Sequence, residues 1–291
     1  MAATQIATVK ADGVDVFYRS AGPANAPTVV LLHGFPSSSH MFRNLIPLLA
    51  TRYRVIAPDL PGFGFTTVPA SRNYTYTFAS LTQTFTAFTD ALSLTRFAVY
   101  IFDYGAPTGF RFALERPDAV AAIVSQNGNA YAEGLGQPFW APLEKLWASG
   151  AAADREALRP LLELGPTQWQ YQDGSPRPEA IAPEAFYLDQ ALMDRPGNKD
   201  IQLDLFQDYG SNVKLYPQFQ EYLRMSGVPV LTAWGKADTI FVAPGAEAFK
   251  RDVKKLETRW LDAGHFALET NEQQVAEWMF EFFDKYGVFS A

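Results

Sequence analysis

The sequence predicts an α/β fold: a mostly parallel sheet covered by helices on both faces and interrupted by one helical insertion. Three observations carry this. Short apolar runs alternate with segments of helical length and period up to about residue 127, and the alternation resumes from residue 228 to residue 286. The central runs, such as Thr28-Val-Val-Leu-Leu32, are apolar throughout and not at every second residue, as expected of strands buried on both faces. Between the two stretches, residues 129–218 are rich in Pro, Gly and aromatic residues and contain no strand run of comparable quality. Alternating strand and helix is the pattern of parallel crossover units. The chain therefore reads as one core domain, residues 1–128 and 219–291, with residues 129–218 inserted as a helical lid.

Taken in order, residues 6–10 and 14–19 are short alternating runs joined at Asp12-Gly13, a hairpin signal. The buried run 28–32 ends in His33-Gly34-Phe35-Pro36, a tight loop, after which Ser37, Ser38 and Ser39 offer hydroxyls to cap a helix over residues 40–51. Residues 53–57 form the next strand and deliver Asp59-Leu-Pro-Gly62-Phe-Gly64, a glycine-rich turn. Residues 78–92 are helical by length and period. Residues 97–102 are an apolar, aromatic strand, and Gly105 opens a segment, 109–115, that reads as a helix. Asp103 sits at the bend between them. Residues 120–125 give a further strand; 138–148 and 154–164 are helical patches in the insertion. The core resumes with a strand in Val228-Pro-Val-Leu-Thr-Ala-Trp234, a helix at 245–255, a strand at 258–261 and a closing helix at 272–286.

At 291 residues and 48% hydrophobic composition, the chain can bury a sizeable core. Its formal charge of −7 argues against nucleic acid as a partner, and the one basic cluster, Lys250, Arg251, Lys254 and Lys255, reads as a solvated helix face. With no cysteine, disulfides, thiolate catalysis and cysteine-ligated metals are excluded. Three histidines and no clustered carboxylate spacing point to no metal, and no cofactor is expected. No signal peptide is visible and no apolar run is long enough to span a bilayer. The expectation is a cytoplasmic protein whose partners are a small apolar substrate and water, with neither nucleic acid nor membrane. The oligomeric state is open, a homodimer being the assembly weighed.

Asp103 holds the chemical interest. A strand that turns sharply into a helix presents the residue at the turn at the carboxyl end of the sheet, with helix N-terminal N–H groups aimed at it. Its bland alternative is a helix cap. Among His33, His40 and His265, the last lies in Asp262-Ala-Gly-His265-Phe, in the loop after the last strand, and is the expected base. Asp238 follows the strand ending at Trp234; a carboxylate there can hold one imidazole nitrogen and leave the other to take a proton from water. Its alternative is an Asp closing a turn after Gly235, and Glu269 is a weaker rival for the same role.

Here the chain resembles an α/β-hydrolase-fold enzyme of the epoxide hydrolase and haloalkane dehalogenase branch. His33-Gly-Phe-Pro36 resembles the oxyanion loop of that branch, Phe102-Asp103-Tyr-Gly105 the nucleophile elbow with Asp in place of Ser, and Asp238 with His265 the remaining triad. The order nucleophile, acid, base also matches. The resemblance implies Asp103 as nucleophile, Asp238 and His265 as acid and base, and the backbone N–H groups of Phe35 and Tyr104 as oxyanion donors. It also implies a lid tyrosine as proton donor, Tyr209 first and Tyr216 second. His33, Pro36 and Trp140 are the expected substrate contacts, although lid aromatics such as Trp140 also read as the lid's own small core.

A carboxylate nucleophile suits displacement at a saturated carbon, giving an alkyl-enzyme ester, and gains little against a carbonyl. The leading expectation is the opening of an apolar epoxide to a diol, because a phenol stays protonated at neutral pH and can donate to the departing oxygen. Dehalogenation of a haloalkane or haloacid is the alternative. It is weakened because that branch places Asn and Trp where this chain has Phe35 and Tyr104, and because the carboxylate-binding arginines of haloacetate enzymes have only Arg111 as a substitute. A small-molecule-binding protein without turnover is the third reading.

Overall fold

The computed structural model describes residues 3–290. β1 (Gln5–Ala11) and β2 (Val14–Ala21) form the hairpin, with Asp12 and Gly13 both at positive φ. β3 (Thr28–Leu32), β4 (Arg54–Pro58), β5 (Phe97–Phe102), β6 (Val120–Gln126), β7 (Val230–Gly235) and β8 (Leu256–Leu261) complete an eight-stranded sheet in the order β1-β2-β4-β3-β5-β6-β7-β8. β2 is antiparallel to both neighbours, and every pair from β4 to β8 is parallel.

The core helices are α1 (Leu45–Leu49), α2 (Phe78–Ala91) and α3 (Gly105–Glu115). In the insertion lie α4 (Ala141–Ser149), α5 (Ala152–Glu156), α6 (Leu164–Gln172), α7 (Pro183–Met193) and α8 (Asn198–Ser226). α9 (Ala243–Ala248) and α10 (Leu268–Lys285) finish the core. Side chains alternate across a strand, so β5 serves two layers. Phe97, Val99 and Ile101 pack with Phe85 of α2 and Phe112 of α3, whereas Ala98, Tyr100 and Phe102 pack with Ile46 of α1 and Phe282 of α10. Every residue of β5, β6 and β7 is buried, which is why these strands read as unbroken apolar runs. Each large side chain so buried contributes about 1.5–3 kcal/mol.

The helix expected over residues 40–51 is broken. Ser38 accepts from the His40 N–H (3.3 Å) and caps a 3₁₀ turn, Ser39–Phe42, and α1 follows as a separate short helix. Pro47 explains the break: it has no N–H for the Arg43 carbonyl, and its ring would strike that carbonyl in a continuous helix. The helix expected at 245–255 also shortens, ending at Ala248 before a 3₁₀ turn at Phe249–Arg251. In the inserted segment, α8 runs 29 residues through Gly210 and Pro217 and passes the expected boundary at residue 218. Gly210 belongs there because a Cβ would come within 2.8 Å of the Trp147 ring, so its absence lets α8 close on α4. Among the described residues no helix is long and apolar enough to cross a membrane.

Candidate active site

Parallel strands bring the loops after β3, β5, β6, β7 and β8 to one edge of the sheet. The sharpest is the bend after β5, where Asp103 takes φ 47° before Tyr104 returns to the helical region. Such a conformation in a non-glycine residue costs on the order of 1–3 kcal/mol and persists only where the surroundings enforce it. Here the β3 loop presses on the bend. A Cβ on Gly34 would lie 2.3 Å from Asp103 Oδ1, and one on Gly105 would lie 2.4 Å from the Leu32 carbonyl oxygen. Only glycine at both positions permits that approach.

The approach aims two main-chain donors at one carboxylate oxygen. Asp103 Oδ1 accepts from the N–H of Phe35 (2.5 Å) and of Tyr104 (2.6 Å). Oδ2 faces His265 Nε2 at 4.0 Å, too far for a direct hydrogen bond. On the other side of the ring, Nδ1 donates to Asp238 Oδ2 at 2.8 Å, which leaves Nε2 as the basic nitrogen. Nε2 is buried and has no partner within the protein. Asp238 is itself held by donors: Oδ1 accepts from the N–H of Ile240 (2.7 Å) and of Phe241 (3.1 Å), and Oδ2 from Asn127 Nδ2 (2.7 Å).

Burial sets the electrostatics. It pushes the Asp103 carboxyl up to about 6, against the opposing pull of His265 and of the two N–H donors. Burial also disfavours a charged His265, but Asp238 and, more weakly, Asp103 outweigh it, so the imidazole is raised above its ordinary value. On α8 the Tyr209 and Tyr216 hydroxyls lie 3.5 Å apart. Both are raised by burial, and both feel the Asp103 charge. The Tyr209 ring is walled by Trp140, at 4.7 Å between ring centres, and by Tyr104 at 5.7 Å. A cavity of about 340 Å³ reaches Phe35 of the loop after β3; Phe139, Leu161, Pro166, Trp169 and Phe206 line it, with Gln170 its one polar side chain. A larger groove of about 590 Å³, bordered by Thr75, Asp204, Asp208 and Lys214, touches none of the three triad candidates.

A model of the alpha/beta hydrolase fold family matches residues 27–272. The chain belongs to that family. This α/β hydrolase is 54% identical over 270 residues to an uncharacterized hydrolase of Saccharomyces cerevisiae, covering 91% of this chain and 92% of the relative. It is 41% identical over 113 residues to a haloalkane dehalogenase of Psychrobacter cryohalolentis, a match spanning only 37% of that enzyme's length. Among solved structures it resembles the epoxide hydrolase CorEH (TM-score 0.78, 20% identity, covering 98% of this chain and 100% of that one). It equally resembles the haloalkane dehalogenase DbeA of Bradyrhizobium elkani (TM-score 0.79, 22% identity, covering 97% and 100%). At such identities the structural likeness speaks for the fold.

Asp103, Asp238, His265, Phe35, Tyr104, Tyr209 and Tyr216 thus cluster in this hydrolase, as does Trp140 through its ring. Pro36 is buried in the loop after β3. His33 corrects its expected role as a substrate contact. Its Nε2 accepts from the Leu60 N–H (2.9 Å) and its Nδ1 donates to the Gly34 carbonyl (3.0 Å), so both nitrogens brace the loop and neither is free for a ligand. Glu269 is no rival acid, being held by both guanidinium nitrogens of Arg43 (3.0 and 2.6 Å). Sequence reading passed over Gln126 and Asn127. Asn127 Oδ1 accepts from the Gly235 N–H (2.9 Å), and Gln126 Nε2 donates to the His265 carbonyl (2.8 Å), tying the loops that carry Asp238 and His265 to the end of β6. The available signal was the run Gln126-Asn-Gly-Asn129, polar residues directly after an unbroken apolar strand.

Proposed function

We propose that this hydrolase opens an apolar epoxide to a diol through an ester on Asp103. Asp103 Oδ2 attacks a ring carbon; the new C–O bond forms as the ring C–O bond breaks, and the departing oxygen takes the Tyr209 proton. Ester formation removes the Asp103 charge, one of the influences that raise His265, so the imidazole becomes more available as a free base. His265 Nε2 then takes a proton from water, and the oxygen attacks the Asp103 carbonyl carbon. Negative charge collects on Oδ1, at which the Phe35 and Tyr104 N–H groups already point. Each such donor is worth roughly 3 kcal/mol of barrier in comparable sites. Collapse expels the diol oxygen, which takes the proton from His265. The regenerated carboxylic acid loses its proton through solvent to the Tyr209 phenolate.

One observation supports the choice of leaving group: the Tyr209 and Tyr216 phenols lie within reach of the Asp103 charge, while both nearby indole N–H groups are spent elsewhere. Trp140 Nε1 donates to the Ile240 carbonyl and Trp147 Nε1 to the Phe206 carbonyl, both at 2.8 Å. Arg111 is engaged by Asn212 and Ser211, also at 2.8 Å. Neither indole N–H is left for a halide, and two of the five guanidinium N–H groups of Arg111 hold that side chain to α8, whereas a phenol supplies the proton an alkoxide needs. The lining of the smaller cavity fits an apolar substrate body.

Single turnover of an apolar epoxide in heavy-oxygen water tests the ester route: label is expected in the Asp103 peptide and not in the first diol released. Unlabelled Asp103 after several turnovers would rule it out. Tyr209→Phe should slow alkylation by roughly 10²-fold or more and spare ester hydrolysis. The second reading, dehalogenation, is favoured by the stretch matching haloalkane dehalogenases; halide release from a haloalkane panel, with no diol formed from epoxides, would establish it.

A further inference from the structure

We infer that Asn129 is a positioning residue that orders the two lid phenols into a one-way chain of donors ending at the substrate oxygen; this rests on the epoxide reading. Asn129 is fully buried, three residues beyond the end of β6. The main chain orients its amide: Nδ2 donates to the Tyr131 carbonyl (2.7 Å), and Oδ1 accepts from the Tyr131 N–H (3.2 Å). A rotated amide would set N–H against N–H and oxygen against oxygen, so only one orientation pairs. Two glycines make room for it. A Cβ on Gly134 would lie 2.2 Å from Asn129 Oδ1, and one on Gly245 would lie 2.9 Å from it.

With the amide fixed, Nδ2 faces the Tyr216 hydroxyl at 3.2 Å as a donor, and the Tyr216 oxygen accepts. The Tyr216 proton then points away from Asn129. The neighbouring phenol oxygen is that of Tyr209, 3.5 Å off, at the outer limit of a hydrogen bond. Accepting there, Tyr209 turns its own proton outward. The order is therefore Asn129 N–H to Tyr216, Tyr216 O–H to Tyr209, and Tyr209 O–H to the ligand. During ring opening only the last proton transfers, from Tyr209 to the departing oxygen. The phenolate left behind keeps the Tyr216 donor, whose oxygen keeps the Asn129 N–H. Donors linked in this way strengthen one another. The ligand class follows: an apolar molecule with one accepting oxygen, an epoxide or a neutral carbonyl compound.

The test is a double-mutant cycle on Asn129→Ala and Tyr216→Phe, with alkylation of Asp103 by styrene oxide and hydrolysis of the ester timed separately by rapid quench. Each single substitution should slow alkylation about tenfold, the effect of one hydrogen bond, and leave ester hydrolysis within about twofold. The double variant should be no slower than Tyr216→Phe alone. Additive losses, or an equal fall in both steps, would mean that Asn129 only supports the fold and would overturn the inference. An infrared arm needs no turnover. Bound ¹³C-carbonyl benzamide should show a carbonyl band lowered in frequency in the unmodified protein and partly restored by Asn129→Ala. If no epoxide turns over but the band responds in this way, the inference stands and the epoxide reading fails. If epoxides turn over and neither alkylation nor the band responds to Asn129→Ala, the inference fails alone.

Discussion

Asp103→Asn is expected to stabilise the folded protein at alkaline pH while abolishing turnover. Burial raises this carboxyl from its ordinary 3.8 to about 6. Because the folded-state value lies above the unfolded one, the group favours folding while protonated; that contribution is complete below about pH 4 and is lost as the pH rises through 6. About two units at 1.36 kcal/mol each make ionised Asp103 a liability of roughly 3 kcal/mol at pH 8, an upper bound because a charged His265 offsets part of it. Asparagine keeps the Oδ1 acceptor for Phe35 and Tyr104 and tolerates positive φ as aspartate does, so it removes the charge and preserves the bend. Urea unfolding should find the variant more stable by about 1–3 kcal/mol at pH 8 and indistinguishable from the parent at pH 4. A difference independent of pH, or a loss of stability at pH 8, would refute the claim that desolvation is what holds this carboxylate at high energy. On the proposed mechanism the same desolvation makes the carboxylate reactive, so the stability gained and the activity lost would have one cause.

Other consequences are equally direct. His265→Gln should halt the reaction at the ester: one equivalent of substrate consumed, a mass increment retained on the Asp103 peptide, and steady-state turnover lower by roughly 10²–10⁴-fold. A variant that turns over normally would remove His265 from the base role. The alkylation rate should fall tenfold per pH unit below about 6, as Asp103 protonates, with a plateau above; a limb centred near 4 would contradict the raised carboxyl. Gly34→Ala places a methyl 2.3 Å from Asp103 Oδ1, so turnover should drop by about 10²-fold or more while the far-ultraviolet circular dichroism is unchanged. Arg43→Met leaves Glu269, whose side chain is 2% exposed, without its partner and should cost about 3–5 kcal/mol in urea unfolding. Adding Glu269→Gln should recover much of that loss.

The core of the fold was legible because local pattern and global placement agree. Unbroken apolar runs can only be strands covered on both faces, and strands covered on both faces are parallel strands joined by helices. Once β3, β5, β7 and β8 are read from residues 28–32, 97–102, 228–234 and 258–261, their following loops must share an edge. Asp103, Asp238 and His265 are then neighbours before any coordinate is known. What failed locally failed for identifiable reasons. Pro47 breaks the helix after the serine run, and the boundary expected at residue 218, next to Pro217, falls inside α8. An interior glycine is spent there on helix packing against Trp147, a partner distant in sequence.

The lid's chemistry was legible only as an inventory. Tyr209 and Tyr216 were expected as donors and Trp140 as a substrate contact, but nothing local ranks a phenol O–H against the indole N–H groups of Trp140 and Trp147. Folding ranks them by removing some. Trp140 is used on a carbonyl 100 residues away, and Arg111 on Asn212, 101 residues away. A buried donor left unpaired costs on the order of 1–3 kcal/mol, so a donor already satisfied by the main chain has little reason to leave it for a ligand. The donors that remain for substrate are those whose protein partners leave a proton to spare, and Asn129 supplies that asymmetry by filling one side of Tyr216 with a donor. On the epoxide reading proposed above, the leaving group is selected by subtraction: an oxygen that needs a proton would find one at Tyr209, and a halide that needs two N–H groups would find Trp140 and Trp147 already bonded.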